Sequence, residues 1–277
     1  MSSAKLSLAL HFLEEEPLAA ARRLELQEAE HSAAMLNKAP APIAAKVLAA
    51  MLPAFAAPIL ALLDNEDAAR LLKALTNADI AALLRQLPDA ARQRLLGVLP
   101  LKKQTACQLL LSYPNYTVGA WTETDLLVLD NQMDAGDALL RLKKRAYSET
   151  RDIYLVNDKR QISGKLSVYA ILRAASNTPL TRLMQPVNES ISGFTELNAA
   201  LELPVWRQQD TLAVVNQQQA LLGIIHHHQL RHAISRAEPE DTAEPLPGDI
   251  LGAYGASINA LLELLAPSAT KPTGRRS

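Results

Sequence analysis

Residues 153–164 read IYLVNDKRQISG and residues 212–223 read LAVVNQQQALLG, an ungapped match 59 positions apart. Each copy is a short apolar run, a polar turn, and a second apolar run entered near Gly164 or Gly223, the pattern of two strands joined by a tight turn. The match continues as SVYAILRAAS (167–176) against HHHQLRHAIS (226–235), where the spacing becomes helical. Upstream of the first copy, residues 126–129 read as a strand and 134–146 as a helix with Ala138, Leu139 and Leu142 on its apolar side. Upstream of the second, residues 191–194 and 196–207 take those places, with Pro204 shortening or kinking the helix. The economical reading is two β-α-β-β-α units in tandem, over residues 117–176 and 177–236.

A second repeat precedes them. Leu52, Leu63, Leu75, Leu87 and Leu99 each close a segment, and the next begins with Pro53, Asp64, Thr76, Pro88 or Pro100. Leu71, Leu72 and Leu75 recur as Leu83, Leu84 and Leu87, then as Leu95, Leu96 and Leu99, each trio on one helical face. Asp64 reads as an N-cap, Thr76 with Asp79 as a cap and its capping acid, and proline suits a helix's first turn. Helices this short are marginal alone and must stack to bury their leucines. Residues 40–116 are therefore expected to form a superhelix of short helices. Residues 1–39 are expected to add one or two more helices ahead of the Ala39-Pro40-Ala41-Pro42 break. The fold class is α+β. Cys107 aligns with Leu71, Leu83 and Leu95 and reads as a small core residue.

Composition narrows the function. The 277 residues are 49% apolar, with 28 Lys and Arg against 29 Asp and Glu. Such a balance argues against a nucleic-acid partner. One Cys excludes a disulfide scaffold or a multi-Cys zinc site and makes a cytoplasmic location the default. No apolar run is long enough to span a bilayer, so direct membrane insertion is not expected. Residues 237–248 read as an acidic, Pro-rich linker, 249–266 as a short C-terminal amphipathic helix, and 267–277 as a disordered tail.

The stacked Leu-Pro helices, the junction Tyr116-Thr117-Val118-Gly119 and the two mixed units together resemble the cytosolic region of MgtE-type magnesium transporters. In that region an MgtE N-terminal helical domain is followed by a pair of cystathionine-β-synthase (CBS) motifs. LTRLMQP (180–186) resembles the lead into a second CBS motif, and GKLS and GIIH, at 164–167 and 223–226, stand where CBS motifs carry Gly-x-hydrophobic-Ser/Thr. The resemblance implies a regulatory module that senses Mg2+ or an adenine nucleotide. It also implies a homodimer formed through the CBS pair and a partner that is a membrane transporter or another protein. The ligand-binding candidates it carries over are Gly164, Ser167, Gly223 and His226. The sequence departs from the family where the ribose-binding Asp is expected, at Ala170 and Gln229, and His226 replaces Ser or Thr. That erosion supports an alternative, a ligand-independent interaction scaffold or an accessory transporter subunit.

Other chemistry is sparse. His226, His227, His228 and His232 straddle a strand-to-helix junction and point in different directions, so a structural or solvated role is the simpler reading than a metal site. Asp64, Glu66 and Asp67 suit a helix start. Glu123, Asp125 and Asp130 flank the first strand of the first unit. No nucleophile elbow, phosphate loop or paired-Cys motif occurs, and no enzyme is expected.

Overall fold

The protein is described by a computed structural model, which places residues 3–144 and 152–237. The expected linker, C-terminal helix and tail, 238–277, lie outside the described residues. The chain divides into two compact parts. Among the described residues, one comprises 3–76 and 83–100, the other 77–82, 101–144 and 152–237.

The first part is built from α1 (Ser3–Glu15), α2 (Pro17–Glu25), α3 (Ala29–Lys38), α4 (Ala41–Ala50), α5 (Pro53–Leu62), α6 (Asn65–Ala74), the end of α7 (Asn77–Arg85) and α8 (Asp89–Gly97). The N-terminal segment thus holds three helices where one or two were expected. Pro17 takes the first position of α2 and forces the break after Glu15. The helices stack by alternate neighbours, α2 on α4, α3 on α5, α4 on α6 and α6 on α8. That stacking seals Leu36, Leu48, Ile59, Leu60, Leu71, Leu72 and Leu95 from solvent.

A polar staple accompanies this stacking. Arg70, sixth in α6, donates to Ala39 O (3.0 Å) and Asn37 O (2.9 Å), at the end of α3. Arg94, sixth in α8, donates to Leu63 O (3.1 Å) and Ala61 O (2.8 Å), at the end of α5. Both reach back 31 and 33 residues. A guanidinium at a helix C-terminus satisfies carbonyls that have no intrahelical partner and complements the helix dipole. Lys46 is sixth in α4, so a basic residue recurs at 46, 70 and 94, once per helix pair.

The second part opens with the first turns of α7 and with α9 (Leu101–Leu111), then carries the two mixed repeats. In the first repeat β1 (Val128–Asp130) runs parallel to β2 (Asp152–Val156), which pairs antiparallel with β3 (Ile162–Ser167). Helices α10 (Ala135–Lys144) and α11 (Val168–Arg173) complete it. The second repeat has β4 (Ser190–Ser192), β5 (Thr211–Val215) and β6 (Leu221–His226) in the same order, with α12 (Leu197–Leu201) and α13 (His227–Ala237). Pro204 has cut the expected helix: α12 stops at Leu201, and residues 204–207 form a separate 3-10 turn.

The copies match to the level of the turn. Asn157 Oδ1 accepts from Lys159 N and Gln161 N, as Asn216 Oδ1 accepts from Gln218 N and Ala220 N. Arg160 and Gln219 both take positive φ, 59° and 61°. The two turns bond to each other through Leu221 N and Arg160 O (2.9 Å). Behind them Leu126, Tyr154 and Val156 pack with Ala213, Leu221 and Ile224 in one apolar seam.

The lead-in segments cross. Glu123, ahead of the first repeat, exchanges both backbone hydrogen bonds with Ile224 on β6 of the second (2.8 and 3.0 Å). Gln185, ahead of the second, does the same with Lys165 on β3 of the first (2.7 and 2.9 Å). The YTVG junction follows suit, since Val118 N donates to Thr195 O and Gly119 N to Gly193 O. Each repeat is therefore completed by a segment that precedes the other.

Candidate functional site

Two equivalent junctions carry the four candidate residues. At the first, β3 delivers Ser167 to the start of α11, where its Oγ accepts from Ala170 N (3.2 Å) as an N-cap. Ser167 lies opposite Asp152 on β2, and Lys165, two residues earlier, shares its face of the sheet. Lys165 Nζ reaches Asp152 Oδ2 at 2.9 Å, and both side chains remain part-exposed. A hydroxyl, an ammonium and a carboxylate thus converge on one face. Ala170 places no side-chain acceptor on the first turn of α11, and the carboxylate that meets Lys165 is that of Asp152.

The second junction is organised differently. His226 ends β6 opposite Thr211, and its Nδ1 hydrogen-bonds Thr211 Oγ1 at 2.8 Å. Its Nε2 lies 3.7 Å from Glu123 Oε2. Gln229 accepts from His226 N through Oε1 (3.4 Å) and donates through Nε2 to Glu123 Oε2 (3.3 Å). The reach from Gln229 back to His226 N is one half of a capping box, while the His226 ring turns to Thr211 instead. Burial pushes the His226 imidazole below its ordinary pKa, and His228 lowers it further, while Glu123 and Asp210 oppose the shift.

Gly164 and Gly223 have a packing reason of their own. A Cβ on Gly164 would lie 2.8 Å from Gln185 O, and one on Gly223 only 2.1 Å from Glu123 O. Only glycine lets the crossed lead-in lie this close to the strand.

The remaining histidines divide between two partners, His228 stacking on His226 where diverging directions were expected. The ring of His228 lies 5.4 Å from that of His226, whereas His227 stacks on Trp206 at 5.1 Å. Among the described residues no group of three or more His, Cys, Asp or Glu is arranged to hold a metal ion. The acidic residues have partners instead. Asp64 caps α6 by accepting from Asp67 N (2.8 Å). Asp67 meets Arg70 and Asn37. Asp125 pairs with Lys102 (2.8 Å). Asp79, expected as a capping acid, also receives Arg236 (2.5 Å). Cys107 is buried and burial raises its thiol to about 11, so it stays protonated.

Sequence reasoning missed the Glu123 arrangement. Glu123 and Gln229 lie 106 residues apart and meet only because the lead-ins cross. The one available signal was the simultaneous loss of Ser/Thr and Asp at 226 and 229.

No helix among the described residues is long and apolar enough to cross a membrane. No curated protein matches the chain. Residues 15–116 match the MgtE intracellular N domain family. Among solved structures, the cytosolic domain of the Mg2+ channel MgtE in complex with ATP is similar at 24% identity and a TM-score of 0.69, over 80% of this chain and 92% of that one. The soluble part of a magnesium transporter is similar at 16% identity and a TM-score of 0.57, over 86% of this chain and 100% of the other. The helical part thus matches the MgtE intracellular N domain over residues 15–116, and the chain has the fold of a cytosolic MgtE region, stacked helices followed by two β-α-β-β-α units.

Proposed function

We propose that the chain is a non-enzymatic regulatory protein of the cytoplasm. It binds an adenine nucleotide at the β3–α11 junction and acts, as a homodimer, on a magnesium transporter or another protein partner. The observation that carries this reading is the convergence of Ser167, Lys165 and Asp152 on one sheet face beside a helix start. Ser167 Oγ accepts from the helix and keeps its own proton to donate to a phosphate oxygen. Lys165 supplies a phosphate-binding cation and Asp152 an acceptor for ribose hydroxyls. The similar MgtE cytosolic domain was solved with ATP. Mg2+ fits best as the metal carried by the nucleotide, because a directly bound ion wants an oxygen cage and the acids Asp64, Asp67, Asp79 and Asp125 are already engaged.

Regulation requires the nucleotide to bind one arrangement of the protein better than another. The test is thermal unfolding with AMP, ADP, ATP, Mg2+ and Ca2+ in turn. A ligand at ten times its Kd adds about 1.4 kcal/mol, and for a chain of this size the midpoint rises by about 2–4 °C. The expected result is a shift with a nucleotide that Ser167→Ala reduces. A flat profile at millimolar ligand overturns the sensor reading. The second reading, a ligand-independent scaffold, would then lead, and the absence of a carboxylate at Ala170 and Gln229 is what favours it.

A further inference from the structure

We propose that Glu123 bars phosphate-bearing ligands from the β6–α13 junction, so that the chain takes a nucleotide at the β3–α11 junction alone. The inference deepens the nucleotide reading above and rests on it for the occupied junction.

The crossed lead-ins make the comparison direct. Glu123 stands to Ile224 on β6 as Gln185 stands to Lys165 on β3, each pair exchanging two backbone hydrogen bonds. One lead-in therefore brings a neutral amide to its junction and the other a carboxylate. Helix α13, with 11 residues, starts at the second junction, and the positive end of its dipole favours an anion there, although His227 N already donates to Asp210 O (2.9 Å). The anion is already supplied by the protein. Glu123 Oε2 lies 3.3 Å from Gln229 Nε2 and 3.7 Å from His226 Nε2, and its side chain is only about a quarter exposed. A phosphate entering beside it would meet a like charge shielded from water, where repulsion is strongest.

The charged groups around His226 are mainly acidic. The groups that bear on His226 electrostatically are Glu123 on the lead-in, Asp210 ahead of β5 and His228 on α13, with no Lys or Arg among them. His226 is held neutral at pH 7 by burial and adds no cation. By contrast, the β3–α11 junction carries Lys165 in the place of Ile224. The residues at 226 and 229 also fit this division. Both engage Glu123, so the loss of the nucleotide signature and the presence of the carboxylate form one arrangement.

The experiment is calorimetric titration of the full chain with ATP and with AMP, wild type against Glu123→Gln, while the imidazole resonances of His226 are followed by NMR. The variant keeps the size of the side chain and an oxygen for Gln229 to donate to. The expected outcome is one nucleotide per wild-type chain with His226 unmoved. Glu123→Gln should bind a second nucleotide, on the order of a hundredfold more tightly at that junction than wild type, with His226 shifting. Two sites in the wild type, or unchanged stoichiometry and an unmoved His226 in folded Glu123→Gln, overturns the proposal. If wild type binds none and Glu123→Gln binds one that moves His226, the bar stands and the nucleotide reading of the β3–α11 junction falls. Should Glu123→Gln fail to fold, Gln185→Glu carries the test. Moving the acid to the first junction should abolish the wild-type site, and its retention overturns the proposal.

Discussion

Arg236, near the end of α13, and Asp79, on the first turn of α7, are 157 residues apart in the chain and meet at 2.5 Å. The Arg236 side chain is 3% exposed, its guanidinium lies 5.6 Å from the centre of the Trp121 ring, and its Nε and Nη2 have no hydrogen-bond partner. Among the described residues, Asp79 is thus the anion that hydrogen-bonds this buried cation. Removing one member of such a pair costs more than removing both. Asp79→Ala should destabilise the protein by about 3–5 kcal/mol, whereas Arg236→Met, or the double variant, should cost clearly less. Urea unfolding of the three variants checks the order, and equal losses for both single variants would contradict it.

Gly223 and Gly164 should respond to substitution in a fixed order. A Cβ at 223 would stand 2.1 Å from a backbone oxygen and one at 164 would stand 2.8 Å from the equivalent oxygen. Gly223→Ala must push the Glu123 lead-in off β6 and should cost about 3 kcal/mol or more. Gly164→Ala should cost less, and Gly97→Ala, with open space around it, should be neutral or stabilising. Midpoints of chemical unfolding for the three variants give the ranking.

The staple residues make a prediction for the helical part. Arg94→Leu leaves the carbonyls of Ala61 and Leu63 without their charged donor. The expected loss is about 1.5–3 kcal/mol. Arg70→Leu should behave alike, because its bonds to Asn37 and Ala39 repeat the same geometry. Lys46→Leu should cost little, since Lys46 is exposed. A similar loss at all three positions would remove the staple from the account.

Acid should weaken the second repeat through His226. Its pKa is lowered in the folded chain by burial foremost, so the unfolded chain binds the proton more tightly. Stability contributed by neutral His226 is fully present above the unfolded value of about 6.5. It is lost as pH falls through that value and then through the lower folded one. Stability measured between pH 8 and pH 5 should therefore decline in wild type and decline less in His226→Gln. Identical pH profiles would count against the assignment.

How much of this was legible in the sequence depends on how local the cause is. The strand pairs were readable because IYLV and LAVV alternate with turn residues, and Pro204 announced the break that ends α12 at Leu201. The stacked helices were readable from the leucine trios and the prolines. What escaped depends on residues brought together by the fold. Arg70 reaches 33 residues back to Asn37, and nothing near Arg70 in sequence marks it as a donor to another helix. Glu123 reads as an acid beside a strand until the lead-ins cross and set it against His226. The third N-terminal helix has a local cause, since Pro17 favours the first position of a helix and so divides the N-terminal stretch into α1 and α2.

The crossed lead-ins make the two β-α-β-β-α repeats mutually dependent. A fragment ending after α11 would keep Glu123 without Ile224 and leave Lys165 without Gln185, and the complementary fragment would have the reverse defects. Neither repeat closes its own sheet edge, so the pair should fold and open as one cooperative unit. A change at either junction is then felt by both, because the segment that completes one repeat is the covalent start of the other.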